Sequence, residues 1–273
     1  MADRLGLVAG GGVLPRRVIE RCRADGRDVF VVALKGQADP AALGDVPHTW
    51  ISMGAPGRGL RALRRHGCRE LVLAGPVRRP ALTEMRLDAT AVRFFARLGR
   101  RALGDDGLLR AVIGALETEG FRVHGLQDVL GDVLAPAGTL GARAPDATAQ
   151  EDIQRGRAVA RLLGQADVGQ AVIVQQGLVL GVEAIEGTDA LMRRCAALHR
   201  AGAGGLLVKM PKPGQDRRAD LPAIGPDTVA TAAASGLRGI AVAAEATLLV
   251  DPEATIAAAD RHGLFLHGLA SDS

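Results

Sequence analysis

The stretch LGLVAGGGVLPRRVIERCRADGRDVFVVAL, residues 5–34, decides the fold of the first half of this 273-residue chain. It begins with an apolar run that ends in three consecutive glycines, continues as an amphipathic segment and closes with a second apolar run. Such apolar runs predict buried strands, and the segment between them has the period of a helix. A strand, a glycine turn, a helix and a second strand form a βαβ unit, whose crossover favours parallel strands.

The alternation of apolar strands and amphipathic helices continues through the first half of the chain. Strands are predicted at 48–53 and 71–75, and helices at 59–66, 88–103 and 106–119. Parallel strands joined by helices form a sheet with helices on both faces. The sequence therefore predicts an α/β fold whose N-terminal domain, residues 1–134, is a Rossmann-like parallel sheet.

The segment APAGTLGARAPDA, residues 135–147, is rich in Pro, Gly and Ala and has no hydrophobic period, which predicts a linker. Beyond it, residues 148–273 alternate again and predict a second, C-terminal α/β domain. Two apolar runs separated by Gln-Gln-Gly predict a hairpin over 171–182. The other predicted elements are strands at 206–209, 239–243 and 248–250 and helices at 150–163, 227–235 and 252–262.

Composition excludes several classes of protein. The 34 Lys and Arg residues nearly balance the 30 Asp and Glu residues, and one Trp, five Phe and no Tyr leave few rings for stacking on bases. Both features argue against a nucleic-acid partner. The N-terminus lacks the basic and apolar regions of a signal peptide, so we expect a cytoplasmic protein. The three cysteines have no C-x-x-C spacing, which argues against a zinc site and predicts buried thiols.

Gly10, Gly11 and Gly12 follow the first predicted strand and open a helix, where backbone amides can bind a phosphate. The alternative is a tight strand-to-helix turn that binds nothing. Pro15 stands where the third glycine of a dinucleotide fingerprint belongs, and Lys35 follows the second strand, where an acidic ribose ligand is expected. A dehydrogenase that uses NAD is therefore disfavoured.

Two more turns in the first half lie where open α/β sheets hold ligands. In AGPVRRP, residues 74–80, Arg78 or Arg79 can contact a phosphate. In GDD, residues 104–106, the two adjacent acids have two interpretations. They cap the following helix, which we favour, or they form part of a Mg²⁺ site.

Lysine is rare in this chain, with three residues against 31 arginines, and two of the three, Lys209 and Lys212, lie in the segment 204–229. Their proline-punctuated loop leads to Asp227 in the first turn of a predicted helix. That acid can simply complement the helix dipole. It can also position water or hold Mg²⁺ while the lysines offset phosphate charge, and the concentration of polar residues favours this second interpretation.

The motif EGTD, residues 186–189, begins another predicted helix. Thr188 can cap that helix, and the acids can bind a cation or a sugar hydroxyl. Capping explains much of the pattern.

The helix predicted near residue 90 is basic on one face, with Arg93, Arg97, Arg100 and Arg101. A solvated arginine face over a packed core is the favoured interpretation. The alternative is a membrane-surface helix that meets anionic lipid.

Six motifs along the chain resemble the LpxI-type UDP-2,3-diacylglucosamine pyrophosphatases, and the resemblance covers essentially the whole chain. The EGTD motif and the block LVKMPKPGQDRRADLPAIGPDT, residues 207–228, are long and unusual and so are specific, unlike the opening glycines. The six motifs, in order, are AGGGVLP, AGPVRRP, GDDGLLRAV, GQAVIVQQGLVLGVEAIEGTDALMRR, GGLLVKMPKPGQDRRADLPAIGPDTV and GIAVAAEATLLVD.

This resemblance implies Mg²⁺-dependent hydrolysis of UDP-2,3-diacylglucosamine to UMP and 2,3-diacylglucosamine 1-phosphate, with the substrate in a cleft between the two domains. The catalytic aspartate implied by the resemblance is Asp227, and the metal ligands stay unassigned. A homodimer and a peripheral contact with the inner membrane are left open. The expected substrate-binding residues are Gly11, Gly12, Gly75, Arg78, Asp106, Gln170, Thr188, Asp189, Lys209, Lys212 and Gln215.

The chain departs from the family pattern at Pro76, at Ala223 and at residues 243–245, where Ala-Ala-Glu replaces Glu-Ala-Gly. The last change puts the role of any acid at Ala243 in doubt. Two alternatives remain: a nucleotide-binding or regulatory module without turnover, and the dehydrogenase with a degenerate cofactor loop.

Overall fold

The structure is a computed structural model that describes residues 4–78, 87–98, 105–131, 133–218 and 221–270, without the side chains of 94–98, 105 and 106. Its backbone divides into two compact units. The first is Met1–Gly131 with Asp216–Asp220, and the second is Asp132–Gln215 with Leu221–Ser273. Each unit is built around a sheet of its own.

The first unit holds five strands and five helices within the described residues. The strands are β1 Leu5–Ala9, β2 Val29–Leu34, β3 His48–Ile51, β4 Glu70–Ala74 and β5 Arg122–His124. The helices are α1 Leu14–Ala24, α2 Pro56–Arg65, α3 Ala89–Leu98, α4 Asp105–Thr118 and α5 Leu126–Leu130. All strand pairs are parallel, in the order β3-β2-β1-β4-β5. The order reverses beside β1, and open sheets hold ligands at the carboxyl ends of strands beside such a reversal.

The apolar runs of the opening sequence form the interior of this sheet. Strand β2 is buried along its whole length, as a parallel strand covered on both faces must be. Its residues Phe30 and Val32 pack in one core cluster with Leu60 and Leu63 of α2. Helix α2 begins at Pro56, earlier than predicted, because the fixed φ of proline suits the first helical position.

The second unit holds eight strands and four helices within the described residues. The strands are β6 Gly138–Leu140, β7 Ala171–Gln175, β8 Leu178–Val182, β9 Leu206–Lys209, β10 Ala223–Ile224, β11 Gly239–Ala243, β12 Leu248–Leu249 and β13 Phe265–Leu269. The helices are α6 Ala147–Gln165, α7 Thr188–Cys195, α8 Pro226–Ala234 and α9 Pro252–His262. The main sheet has the order β6-β13-β11-β9-β7-β8, and β10 pairs with β12 in a small separate sheet.

This second sheet is mixed. Strands β13, β11 and β9 run parallel at its centre, whereas β6, β7 and the hairpin partner β8 pair antiparallel. The predicted hairpin is present, and its two turn residues Gln176 and Gly177 have φ of +53° and +75°. Positive φ at both positions is the mark of a type I′ turn, which matches the twist of the strands.

The segment 135–147, predicted to be a linker, contains β6 and takes part in the second sheet. Leu140 pairs with Leu266 of β13, and Ala135 is fully buried. Glycine and alanine are common here because main chain packs closely: a Cβ added to Gly268 of β13 would lie 1.8 Å from the carbonyl oxygen of Pro136. Low side-chain volume, which resembles a linker in the sequence, is in this place a packing requirement.

Along the described stretches of the chain, no helix has both the length and the apolar character needed to cross a bilayer.

Candidate functional site

The glycine turn after β1 lies at the carboxyl edge of the first sheet, against the loop that follows β4. The amide of Gly10 donates to the carbonyl of Ala74 at 2.8 Å, and the amide of Gly11 donates to the carbonyl of Pro76 at 2.9 Å. Both amides are used inside the protein, which departs from the prediction that they bind a phosphate. The amide of Gly12 makes no hydrogen bond with a described residue, so it is the one glycine amide of the turn left for a ligand.

Glycine is required where these two loops touch, because main chain packs on main chain. A Cβ added to Gly75, whose φ is +91°, would lie 2.1 Å from the carbonyl oxygen of Gly11. A Cβ added to Gly10 would lie 2.6 Å from the carbonyl oxygen of Gly75. The structure therefore brings Gly11, Gly12 and Gly75 to one place, and steric packing explains why glycine occupies the contact.

Arg78 is held at the same edge by a residue that the sequence analysis did not select. The amide of Arg78 donates to Oε1 of Gln37 at 2.9 Å, and Nε2 of Gln37 donates to the carbonyl of Arg78 at 3.3 Å. Gln37 follows β2, so the loops after β1, β2 and β4 meet here. The position of Gln37 after a predicted strand, where open α/β sheets hold ligands, could have identified it from the sequence.

Several predicted residues of the first half lie partly or wholly outside what the structure describes. Arg79 is outside the described residues, as are Arg100 and Arg101 of the basic helix. Helix α4 begins at Asp105, so Asp106 stands in its first turn, but no side-chain contact of Asp106 is described.

In the second unit, the two lysines of the long loop have different surroundings. Lys209 ends β9 with only 8% of its surface exposed, and its Nζ donates to the carbonyl of Ala223 in β10 at 3.0 Å. The Nζ of Lys212 lies 2.8 Å from Oδ1 of Asp167, which follows α6. Gln215 closes the loop, since its Oε1 accepts from the amide of Lys212 at 3.1 Å. The backbone hydrogen bond of Lys212 to Gln215 therefore fixes the loop, and its ion pair with Asp167 fixes the position of the Lys212 charge.

A buried carboxylate, Glu183, organises the neighbouring part of this site. Its Oε1 accepts from the hydroxyl of Thr188 at 2.6 Å, and its Oε2 accepts from the amide of Gln170 at 3.0 Å. The carbonyl of Gln170 in turn accepts from the amide of Met210 at 2.9 Å, directly after Lys209. Gln170, Thr188 and Lys209, all predicted from sequence, are therefore close together, and Glu183 is the residue that the prediction missed.

The same contacts correct the role of Thr188. Helix α7 begins at Thr188, but its N-cap is Gly187 and no side chain caps it. The Thr188 hydroxyl, predicted to cap the helix, donates to the Glu183 carboxylate instead. Close by, Oε1 of Gln170 is buried without a hydrogen-bond partner among the described residues, which leaves an acceptor for a ligand or water.

Asp227 and Asp189 both lie in the first turn of a helix and are exposed, yet their surroundings differ. Asp189 lies 3.9 Å from Arg193, a surface pair at i, i+4 spacing. The carboxylate of Asp227 makes no ion pair or hydrogen bond with any residue that the structure describes. Thr228 rather than Asp227 serves the helix start, accepting from the amide of Gly225 at 3.2 Å.

The acid of the long loop, Asp216, is committed to an arginine. Oδ2 of Asp216 lies 2.8 Å from Nη2 of Arg218, and the Arg218 guanidinium lowers the pKa of this carboxyl.

The three cysteines are free and buried, as predicted, and burial raises the pKa of the Cys68 thiol to about 11. A thiol of that kind is a poor nucleophile near neutral pH.

No group of three or more His, Cys, Asp or Glu side chains that could hold a metal is found over the described parts of the chain. Mg²⁺ in phosphate-binding sites typically uses one or two carboxylates and completes its shell with water and phosphate oxygens. Asp227, which lacks a protein partner among the described residues, suits that minimal role.

Comparison with known proteins gives the same family across both halves of the chain. The model of the LpxI N-terminal domain matches residues 4–133, and the model of the LpxI C-terminal domain matches residues 136–267. A relative from Caulobacter vibrioides, named UDP-2,3-diacylglucosamine pyrophosphatase LpxI, is 43% identical over 97% of each chain.

Solved structures resemble the chain only weakly. The enzyme WbmG of Bordetella bronchiseptica in complex with NAD is 16% identical, with a TM-score of 0.27 over 42% of this chain and 35% of that one. The structure of gox2253 is 11% identical, with a TM-score of 0.32 over 98% of this chain and 77% of that one. Neither likeness bears on the fold or the ligand of this chain.

Proposed function

The chain belongs to the LpxI family, and from this premise we propose that it hydrolyses the pyrophosphate bond of UDP-2,3-diacylglucosamine to UMP and 2,3-diacylglucosamine 1-phosphate in lipid A biosynthesis. The observation that carries the proposal is the 43% identity, over 97% of both chains, to the relative of that name. The proposal includes a substrate that lies in a cleft between the two domains, as the family resemblance implies.

The reaction is a transfer of one phosphoryl group to water. A water oxygen bonds to one of the two phosphorus atoms, the bond from that phosphorus to the bridging oxygen breaks, and the water gives up a proton. Such a step needs positioning and charge neutralisation more than covalent catalysis. Lys209, Lys212 and Arg78 are the cations that we assign to the diphosphate, and no Ser or Cys nucleophile is required.

We assign the catalytic role to Asp227. Its carboxylate is exposed, has no partner among the described residues and is not needed for capping, which Thr228 provides. A carboxylate in that state can orient the attacking water and accept its proton. The Lys209 ammonium donates to the carbonyl of Ala223 in β10. Strand β10 leads directly into α8, the helix that carries Asp227.

We also propose a requirement for Mg²⁺, whose protein ligands stay unassigned. When bound, the ion would withdraw charge from the phosphate oxygens, the largest electrostatic demand of this reaction. The residues themselves hold the substrate through Lys209, Lys212, Gln170 and Arg78.

The acyl chains of the substrate need apolar contacts, and large exposed apolar side chains occur at both candidate regions. Val13 and Val77 are 45% and 42% exposed beside the glycine turn, and Ile185, in the loop before α7, is fully exposed. A lipid substrate resides in a bilayer, so the proposal includes a peripheral contact with the inner membrane. Homodimerisation stays a prediction.

The test is an assay of UMP release from UDP-2,3-diacylglucosamine, with Mg²⁺ and with excess EDTA, for the wild-type chain and for Asp227→Asn. We expect Asp227→Asn to lower the rate by about a hundredfold or more, as removal of an acid–base group does. Glu253→Gln is a matched control, because Glu253 is also exposed and also follows a proline in the first turn of its helix, α9.

Equal rates for the Asp227 and Glu253 variants would show that both acids only complement helix dipoles. Binding of the substrate by the wild-type chain without any release of UMP would support the alternative, a nucleotide-binding module without turnover. EDTA that leaves the wild-type rate unchanged would remove Mg²⁺ from the proposal.

A further inference from the structure

The amino edge of the first sheet, opposite the glycine turn, holds a cavity of about 560 Å³. It lies where β2 and β3 begin and extends along α2 from Arg58 to Arg65. The residues that give it its character are Phe30, His48, Arg58, Arg61, Arg65 and His66. None of its lining residues is among those assigned to the candidate site for pyrophosphate hydrolysis, so the amino-edge cavity is distinct from that site.

The lining of the amino-edge cavity is basic. Arg58, Arg61 and Arg65 have i, i+3, i+7 spacing on α2, which puts them on one face of the helix. None of the described lining residues is Asp or Glu, and two imidazoles complete the polar wall. Like charges at this spacing repel one another, so the arrangement costs stability unless an anion is present.

The neighbouring arginine of the same helix shows that ion pairing is available at α2. Arg64 points to another face and its Nη2 lies 2.5 Å from Glu119. In contrast, the guanidinium groups of Arg58, Arg61 and Arg65 make no ion pair or hydrogen bond within the described part of the chain. Three cations therefore converge on one cavity without a protein counter-charge there.

The helix dipole explains only part of this pattern. Arg65 lies in the last turn of α2, where a cation is favourable. Arg58 is the third residue of α2, at the end where the Asp88 carboxylate accepts from the amide of Gly57 at 2.9 Å and offsets the helix dipole. The dipole therefore accounts for Arg65 alone, and Arg58 and Arg61, which have no ion pair with a described residue, are better explained by an external anion.

The wall of the cavity is rigid on one side. The His66 ring stacks on Phe30, with ring centroids 3.8 Å apart and planes 12° from parallel, and Phe30 is only 2% exposed. Across the cavity, Nδ1 of His48 lies 2.8 Å from the carbonyl of Val46, so Nδ1 carries the proton and donates. Each imidazole thus has one contact inside the protein that favours a single ring orientation.

We propose that the amino-edge cavity binds a multiply charged phosphate group, with Arg58, Arg61 and Arg65 as its main ligands. Guanidinium groups bind phosphate oxygens in a bidentate manner, and three of them on one face match two or three clustered phosphates. A free polyphosphate and the headgroup of an anionic phospholipid offer this same chemistry. The site is independent of the proposed hydrolase reaction.

The chain contains its own reporter for this site, because its single tryptophan is Trp50. The Trp50 ring meets His48 edge-on, with centroids 6.1 Å apart. We would titrate inorganic triphosphate into the full-length chain at constant ionic strength of about 0.15 M, where surface charges are largely screened. We expect saturable quenching or enhancement of Trp50 fluorescence, and calorimetry should give one site per chain.

The variant Arg58→Gln/Arg61→Gln should weaken triphosphate binding by about tenfold or more, since each charged hydrogen bond contributes on that scale. Its control is Arg155→Gln/Arg261→Gln, which removes the same charge from exposed positions of the second unit. All four side chains are exposed, so circular dichroism and the melting temperature should match the wild type. Equal triphosphate affinity in both double variants would overturn the proposal.

A second arm identifies the source of the phosphate. Sedimentation with vesicles of phosphatidylcholine, with and without cardiolipin, whose headgroup carries two phosphates, is compared for the same two double variants. Vesicle binding that needs Arg58 and Arg61, without triphosphate binding, assigns the cavity to lipid headgroups. Triphosphate binding alone assigns it to a soluble ligand. Failure of the wild-type chain to bind either probe would disprove the site, and UMP release would be unaffected by that result.

Discussion

The two candidate regions differ in what holds them together. At the carboxyl edge of the first sheet, main chain packs on main chain, with Gly11 and Gly75 so close that no side chain fits between them. In the second unit, hydrogen bonds to side chains hold the region together: Glu183 accepts from the Thr188 hydroxyl and from the Gln170 amide, beside the loop that contains Lys209. A glycine-rich motif can therefore mark a packing requirement. The groups able to contact a ligand belong instead to the cluster of side chains around Glu183.

The difference also concerns the groups that remain for a ligand. The amides of Gly10 and Gly11 donate to the carbonyls of Ala74, at the end of β4, and of Pro76, in the loop after it. The second unit instead presents the Oε1 of Gln170 and the carboxylate of Asp227, neither with a partner among the described residues. We therefore expect substitutions in the first region to act mainly on stability, and those in the second mainly on activity.

The largest effect is expected for Gly75→Ala. Its Cβ would lie 2.1 Å from the Gly11 carbonyl oxygen, at a φ of +91°. Steric overlap and the positive φ together should lower the free energy of unfolding by about 3 kcal/mol or more. Chemical denaturation measures this value.

Gly67→Ala is the control for that prediction. Gly67 has φ +71° and nothing within 4 Å of an added Cβ, so it tests the backbone conformation without the contact. We expect a loss of about 1 to 2 kcal/mol there. Equal losses in the two variants would show that conformational strain, and not the contact between the loops, explains Gly75.

Much of the fold can be predicted from local patterns. The buried strands β1, β2 and β4, the β7–β8 hairpin and the helices that follow prolines all have short-range signals. Strand β13 does not, because His267 and Gly268 interrupt its apolar run. Its residue His267 pairs with Thr139 of β6, 128 residues away in the chain, and no local pattern encodes such a contact.

The candidate site shows the same limit of local information. Residue types in unusual motifs predict Lys209, Thr188 and Asp227, since each type has known chemistry in that context. Gln37 and Glu183 are ordinary polar residues until the fold places them. Gln37 meets Arg78, 41 residues along the chain, and Glu183 meets Gln170, 13 residues back across two antiparallel strands.

A smaller effect, on activity more than on folding, is expected for Glu183→Gln. Thr188 and the Gln170 amide donate to different oxygens of Glu183, and in glutamine one of these becomes an NH2 donor. A buried donor left unsatisfied in this way costs about 1 to 3 kcal/mol. Because Glu183 acts through Gln170 and Thr188, KM should rise by about tenfold, more than kcat falls.

Glu151→Gln, an exposed acid on α6, is the matched control and should leave both constants unchanged. A Glu183 variant with the wild-type KM would remove Glu183 as a positioning residue. It would also weaken the distinction between the two regions.

The smallest effect is expected for Gln37→Leu, which removes the side-chain hydrogen bonds that hold Arg78 in the region built from main chain. Its two hydrogen bonds to Arg78 are exposed, so stability should fall by only about 0.5 to 1 kcal/mol. If these hydrogen bonds aim Arg78 at the diphosphate, KM should rise a few-fold, and Arg78→Ala combined with Gln37→Leu should add nothing to Arg78→Ala alone. Gln165→Leu, exposed at the end of α6, should change neither constant. Additive effects of the two substitutions on KM would mean that Gln37 acts independently of Arg78, and Gln37 would then not position that arginine.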